Sequence, residues 1–290
     1  MLLKEIKDIF HKELHDLYPR EEVDSFFYRC VEHYLGVGRF VLVLHPQRNL
    51  DREEETPFFA ALAQLRQERP IQYILGSAQF MGLELKVDEN VLIPRPETEE
   101  LVQWILDDQK VQGRPTGRSI RILDIGTGSG CMAIALAKFL PQARVSALDI
   151  SPRALEVARE NAVGHGTDID FREGDILEPG EWGQEKGAFD VLVSNPPYVR
   201  EMERPQIRGN VKGHEPGIAL FVPDGDPLRY YGAIARYAQK GLKKDGSIYL
   251  EINQYLGEES KSLLREHNFS EIELRKDLYG NDRMLKGKKY

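Results

Sequence analysis

The chain is poor in cysteine, has no long apolar run and carries no excess of positive charge. Each shortage excludes a class of protein. Only two cysteines, Cys30 and Cys131, occur in 290 residues. They lie far apart and form no CxxC pair, which argues against a disulfide framework or a zinc site. No stretch nears the roughly 18–20 apolar residues that a membrane span needs. The opening, MLLKEIKDIFHKELHDLY, mixes Glu5, Asp8, Glu13 and Asp16 with its lysines. That is neither a secretory signal nor an acid-poor transit peptide, so a reducing cytoplasm is the expected location. The formal net charge is -8, whereas a protein that grips long nucleic acid usually presents a basic face. Stable nucleic-acid binding, membrane association and a resident metal are therefore not expected. What remains is globular: hydrophobic residues are 41% and charged residues 30% of the chain, enough for a packed core. The length suits about two domains. There is no internal repeat and no low-complexity segment.

The first 69 residues read as helical. Leu2, Leu3, Ile6, Ile9, Phe10, Leu14 and Leu17 recur at helical spacing. Pro19 ends that helix, and EEVDSFFYRCVEHYL makes a second, closed by Gly36 and Gly38. GRFVLVLHPQRNL predicts a short helix or a turn into a loop, and DREEETPFFAALAQLRQER a further helix with acids in its first turn. Two readings of residues 1–69 stay open: a bundle that packs on its neighbour, or a module that recognises a partner. Residues 70–95 alternate around Gly76 and Gly82 and predict a β-hairpin linker. A helix then starts at RPETEELVQWILDDQ, with Pro96 in its first turn. From Ile120 strands and helices alternate, so residues 96–290 are expected to form an α/β domain on a mostly parallel sheet.

LDIGTGSG sets Asp124, Gly126, Thr127, Gly128, Ser129 and Gly130 between a strand and a helix. Glycines there let the backbone turn sharply and let a ligand approach the main chain. The spacing is GxGxG rather than the dinucleotide GxGxxG, and an ordinary strand-to-helix turn would look the same. Asp149, ending the next strand before Ile150, can accept hydrogen bonds from both hydroxyls of a ribose. Asp175, before Ile176, marks a third strand end, or simply a turn after Gly174. Together these resemble the S-adenosylmethionine-dependent methyltransferases of Rossmann-like fold. The resemblance implies that the glycine loop lies under the methionine part of the cofactor. Asp149 and Ile150 would hold the ribose, and Asp175 and Ile176 would flank the adenine.

FDVLVSNPPYV ends an apolar strand on Asn195, Pro196, Pro197 and Tyr198. An amide or exocyclic amine nitrogen is planar, delocalised and a poor nucleophile. Two placed acceptors, the Asn195 side-chain oxygen and the Pro196 carbonyl, can take both of its N–H bonds. They would stabilise the charge that develops on it. Prolines fix φ and add no competing donor, and Tyr198 can pack a ring on the planar group. Asn195 would also border the cofactor. A rigid turn with a core tyrosine is the plainer alternative.

Asn-Pro-Pro-Tyr occurs in methyltransferases that act on adenine and on protein glutamine. Two further segments separate them. YILGSAQFMGLELKVDENVLIPRPETEELV and HEPGIAL resemble the bacterial release factor glutamine methyltransferases, the PrmC/HemK family, as do YLEINQ and LYGNDRML near the end. The resemblance implies methylation of the side-chain amide of the glutamine in the Gly-Gly-Gln loop of class 1 peptide release factors. Residues 1–69 would then recognise that substrate. Asn195, Pro196, Pro197 and Tyr198 would bind and activate it, and Arg95, with Glu97 and Thr98, would cap the site. Glu97 and Thr98 could equally be polar residues of a helix start. Asp224 and Asp226 replace a more glycine-rich segment and would either reshape the entrance or form a plain turn. His214 reads as structural or surface, and Cys131 as a small helix-packing residue. The alternative activity is amino-methylation of adenine in DNA or RNA.

Overall fold

The computed structural model describes residues 1–111, 119–180, 183, 185–207 and 209–290. They divide into two compact units, Met1–Ser77 with Arg208–His214, and Ala78–Ile207 with Glu215–Tyr290.

The first unit is helical: α1 (Leu3–Leu14), α2 (Arg20–Leu35), α3 (Val41–Leu44), α4 (Arg52–Leu65), α5 (Ile71–Leu75) and, far along the chain, α9 (Gly209–Lys212). Leu3, Ile6, Phe10 and Leu14 fall on one face of α1 and meet Phe26, Phe27 and Val31 of α2 and Phe58 of α4. Phe10 and Phe27 pack edge to face with centroids 5.7 Å apart, the arrangement the ring quadrupole favours. Asp51 caps α4 by accepting from the amides of Glu53 and Glu54. In α5 the sequence, read as hairpin, instead makes a turn of helix. Pro70 pre-sets the backbone at its start, and Gly76 closes it at φ +72°. Such short segments bury Ile71 and Tyr73 without showing a helical period.

The second unit opens with the strands β1 (Ser77–Phe80), whose first residue is the last of the first unit, and β2 (Leu83–Lys86), paired around Met81 and Gly82. It continues through α6 (Pro96–Val111), β3 (Ile120–Ile125), α7 (Cys131–Phe139), β4 (Ala143–Asp149), α8 (Pro152–Gly164), β5 (Ile169–Glu173) and β6 (Phe189–Ser194). Two short strands follow, β7 (Val199–Arg200) and β8 (Phe221–Val222). Next come α10 (Arg229–Gly241), β9 (Leu242–Glu251), α11 (Gly257–Glu266), β10 (Phe269–Lys276) and β11 (Asp282–Lys289). Seven strands form one sheet in the order β10-β11-β9-β6-β3-β4-β5. Only β11 runs against the others.

Alternation along the central strands sends side chains to two cores. Ile122, Val191, Val193 and Tyr249 face α6 and α7. Leu123, Leu192, Ile248 and Leu250 face α10 and α11. This is the α/β doubly wound layering that the strand–helix alternation predicts. Strand order reverses at β3: β4 and β5 lie to one side, β6 and β9 to the other. In open α/β sheets that reversal opens a crevice at the carboxyl ends of the strands.

Candidate active site

Every loop that leaves a carboxyl end near the reversal contributes to one cleft. The glycine loop after β3, Asp149 after β4, Asp175 after β5 and Asn195 after β6 all border it. Gly126, Gly128 and Gly130 take φ of +73°, +55° and +81°, a region that favours glycine. The loop is tied down by its own backbone: Gly126 N–H donates to the Leu148 carbonyl at 2.8 Å and Gly130 N–H to the Thr127 carbonyl at 2.9 Å. At Gly126 and Gly128 an added Cβ would meet no protein atom within 4 Å. These two residues keep a recess open in the cleft wall that a side chain would fill.

Asp149 shows how the acid is held. Its Oδ2 accepts from Gly128 N–H at 2.8 Å and its Oδ1 from Ser151 N–H at 2.9 Å. Burial pushes its pKa up, and the Ser151, Gly128 and Ile150 amides work against that. A carboxylate has about four acceptor sites, so Asp149 keeps acceptor capacity for a ligand. Asp175 accepts from Leu177 N–H at 2.8 Å, the turn-forming role, and also borders the cleft beside Ile150 and the buried Ile176.

Three residues expected at the ligand stand back from it: Gly130, which is packed against Ala158 and Ile134, and Asp124 and Tyr198. Asp124 is wholly buried beneath the loop, where Thr127 donates its hydroxyl to Oδ2 at 2.7 Å. Burial pushes its pKa up to about 7, despite that hydroxyl and the Ala133 amide. The side chain leaves β3 toward the α7 side, so it braces the loop from below. Of the tetrapeptide, Asn195, Pro196 and Pro197 border the cleft. Tyr198 turns its hydroxyl to Glu251 Oε1 at 2.9 Å, and its carbonyl accepts from Asn253 Nδ2 at 2.9 Å.

Glu251, at the end of β9, is a residue that the sequence reasoning passed over. It is 1% exposed and takes a second donor, the Thr98 hydroxyl, at 2.6 Å. Burial pushes its pKa up, while both donors and the charge of Arg283 favour the carboxylate. Arg283 of β11 donates to the Ile252 carbonyl at 3.1 Å and to the Tyr198 hydroxyl at 3.4 Å. Its guanidinium lies 5.8 Å from the Tyr198 ring centroid. Thr98 in turn accepts from Asn195 Nδ2 at 3.0 Å.

Arg95 borders the cleft and pairs with Glu215 Oε1 at 2.5 Å. The buried Glu215 also accepts from Ile93 N–H at 3.1 Å. HEPGIAL is thereby fastened to the loop before α6, and its Pro216, Ile218 and Ala219 wall the cleft. Asp224 accepts from Met202 N–H at 2.9 Å, which makes it an anchor of the 3-10 helix Glu201–Gln206. His214 contacts the Gln67 carbonyl in the helical unit. Cys131 starts α7 with its thiol pKa pushed up to about 12 by burial, so it stays a neutral thiol. Among the described residues no group of three or more His, Cys, Asp and Glu is disposed to hold a metal. Nor is any described helix long and apolar enough to cross a membrane.

Comparison with known proteins agrees with this architecture. Residues 109–210 match the family model described as methyltransferase small domain, and residues 11–76 that of the PrmC N-terminal domain. The release factor glutamine methyltransferase of Flavobacterium psychrophilum is 47% identical over 287 residues, covering 99% of each chain. The one from Bacteroides thetaiotaomicron is 39% identical over 283 residues, covering 98% of this chain and 99% of its own. The crystal structure of a methyltransferase from Pyrococcus furiosus shares the fold at a TM-score of 0.52 and 18% identity, over 82% of this chain and 99% of that one. On the strength of relatives this similar along nearly their whole length, the chain belongs to the release factor glutamine methyltransferase family.

Proposed function

We propose that the protein transfers a methyl group from S-adenosylmethionine to the side-chain amide nitrogen of the glutamine in the Gly-Gly-Gln loop of class 1 peptide release factors, in the cytoplasm. The observation that carries this reading is the pairing, in one cleft, of the glycine loop and Asp149 with Asn195 and Pro196. The donor set suits the cofactor. Gly126 and Gly128 leave a recess where a Cβ would intrude. Asp149 keeps acceptor capacity for the ribose hydroxyls, and Ile150, Ile176 and Asp175 suit a flat, polar-edged ring. When bound, the cofactor supplies an electrophilic methyl group on a sulfonium.

The chain's own residues then prepare the nitrogen. Asn195 Oδ1 and the Pro196 carbonyl accept the two N–H bonds of the glutamine amide. Held this way, the nitrogen can pyramidalise and direct its lone pair. The same two oxygens stabilise the positive charge that builds on it, since pre-placed dipoles need no reorganisation. No strong base is required beforehand, because the nitrogen becomes acidic only as it is alkylated; the electron pair of the broken S–CH3 bond stays on the departing thioether, and one of the two N–H protons then passes to water. Tyr198 acts from behind the cleft by fixing the turn. The helical unit would recognise the factor, and the exposed Phe40, Val43 and Leu44 around α3 offer it an apolar contact.

The test is methyl transfer from radiolabelled S-adenosylmethionine to a purified class 1 release factor, set against the same factor with its loop glutamine replaced. Label on the first and none on the second is expected. Equal labelling of the two would sink the proposal.

A further inference from the structure

An asparagine amide has one end that donates and one that accepts, with nearly the same shape. A site that needs the oxygen must therefore be told which way round the amide sits. The proposed function needs the Asn195 oxygen in the cleft, and the structure contains a device that sets it.

The device is read from the supply of protons. Glu251 is buried and receives two hydroxyl donors, Thr98 on Oε2 and Tyr198 on Oε1. Burial raises the Glu251 pKa, but the Arg283 charge and the two hydroxyls favour its ionised form; as a carboxylate it only accepts, so each hydroxyl spends its single proton on it. Thr98 Oγ1 then has lone pairs alone to offer its other neighbour. That neighbour is the Asn195 side chain, which meets it with Nδ2 at 3.0 Å. The opposite orientation would set Oδ1 against an oxygen with no proton left. Among the described residues no group donates to Asn195 Oδ1, the end that remains for a ligand. We infer that Thr98 and Glu251 are positioning residues, the buried carboxylate acting through the Thr98 hydroxyl to hold the Asn195 amide with its oxygen free for the substrate. This rests on the proposed function for its consequence, though not for its geometry.

The chain of bonds also gives α6 and β9 a shared task. Thr98 stands in the first turn of α6, where its amide donates to the Arg95 carbonyl at 3.1 Å. Glu251 closes β9, the strand beside β6. Three elements thus converge on the orientation of one amide.

Two measurements on the full-length protein decide the matter. The first needs no protein substrate. The side-chain amide protons of Asn195, assigned by their loss in N195D, should exchange slowly with solvent in the wild type and in Thr98→Ser. They should exchange faster in Thr98→Val, which keeps the shape and removes the acceptor. The second is steady-state methyl transfer. Thr98→Val should lower kcat about 10- to 100-fold, the effect of leaving the half-buried Asn195 amide without the partner that orients it. KM for cofactor and factor should hold, and Thr98→Ser should restore most of the rate. Asn195 protons equally protected in Thr98→Val and the wild type would overturn the inference. So would an undiminished kcat, or a loss that appears only in KM. A wild type that labels no release factor would instead count against the proposed function, and the exchange measurement would still judge the positioning.

Discussion

Replacing Gly130 by alanine tests how closely α7 and α8 approach. Gly130 precedes α7 at φ +81°. A Cβ there would stand 3.1 Å from Ala158 Cβ, 3.1 Å from Ile134 Cδ1 and 3.4 Å from Ala158 Cα. Two costs then add. Left-handed backbone costs an L-residue about 1–2 kcal/mol, and forcing an extra methyl into a filled space costs about 1–3 kcal/mol. Ala158 belongs to α8, so the helix itself must give way. Gly166 supplies the control: its φ is +64°, and an added Cβ meets nothing within 4 Å. Gly166→Ala should therefore lose about 1–2 kcal/mol and Gly130→Ala about 2–5 kcal/mol. For a domain of this size each kcal/mol lowers Tm by about 2–4 °C. Thermal unfolding followed by circular dichroism compares the two directly. Cofactor affinity by calorimetry should drop for Gly130→Ala alone, because its loop borders the cleft. Equal losses in Tm would refute the claim that α8 is closed against the glycine loop.

Asn161→Ala should destabilise the protein by about 2–4 kcal/mol. Asn161 accepts from Lys86 N–H at 2.7 Å and donates to the Lys86 and Ser129 carbonyls at 2.9 and 3.0 Å. Urea unfolding should show a lower midpoint with an unchanged slope, and an unmoved midpoint would dismiss the staple. Asp124 has its folded pKa raised to about 7, against an ordinary value of about 4. Its folded form therefore holds the proton more tightly than the unfolded chain does. The stability it contributes is full below about pH 4 and is lost as the pH climbs through about 7. Wild-type stability measured relative to Asp124→Asn should accordingly fall across that window. A rise would reverse the assignment. Asn195→Ala should cut methyl transfer about 100- to 1,000-fold and leave cofactor affinity by calorimetry nearly unchanged. Full activity in that variant would remove the amide-holding role.

The cleft was legible in the sequence wherever its chemistry is local. GTGSG, the acid ending β4 and Asn-Pro-Pro each occupy a few consecutive residues at a strand end, and periodicity located those strands. Asp124 sits in the same string, yet its direction depends on which face of β3 it takes, and the loop alone does not say. Glu251 was hidden for a different reason. It pairs with Thr98 from 153 positions away, and only the order of strands brings β9 beside β6. Arg283 reaches Tyr198 from 85 positions away by the same route. Tyr198 was expected at the ligand because a tyrosine ring suits a planar group. The buried carboxylate behind it, invisible from the motif, claims its hydroxyl instead. Helix α5 escaped notice because one turn of helix leaves no period to read.

The place of β11 in the sheet bears on how the protein is made. β11 follows β10 in the sequence but lies between β10 and β9. Synthesis runs from the N-terminus, so β9 is made before β10 and β11. β11 is the strand that pairs with the side of β9 turned away from β6. In the finished sheet β10 makes its hydrogen bonds to β11 and is not a neighbour of β9. The strand that covers the outer edge of β9 is therefore also the one that carries Arg283 to Tyr198. A chain stopped before β11 contains the glycine loop and the tetrapeptide but lacks Arg283, and with it the guanidinium beside Tyr198.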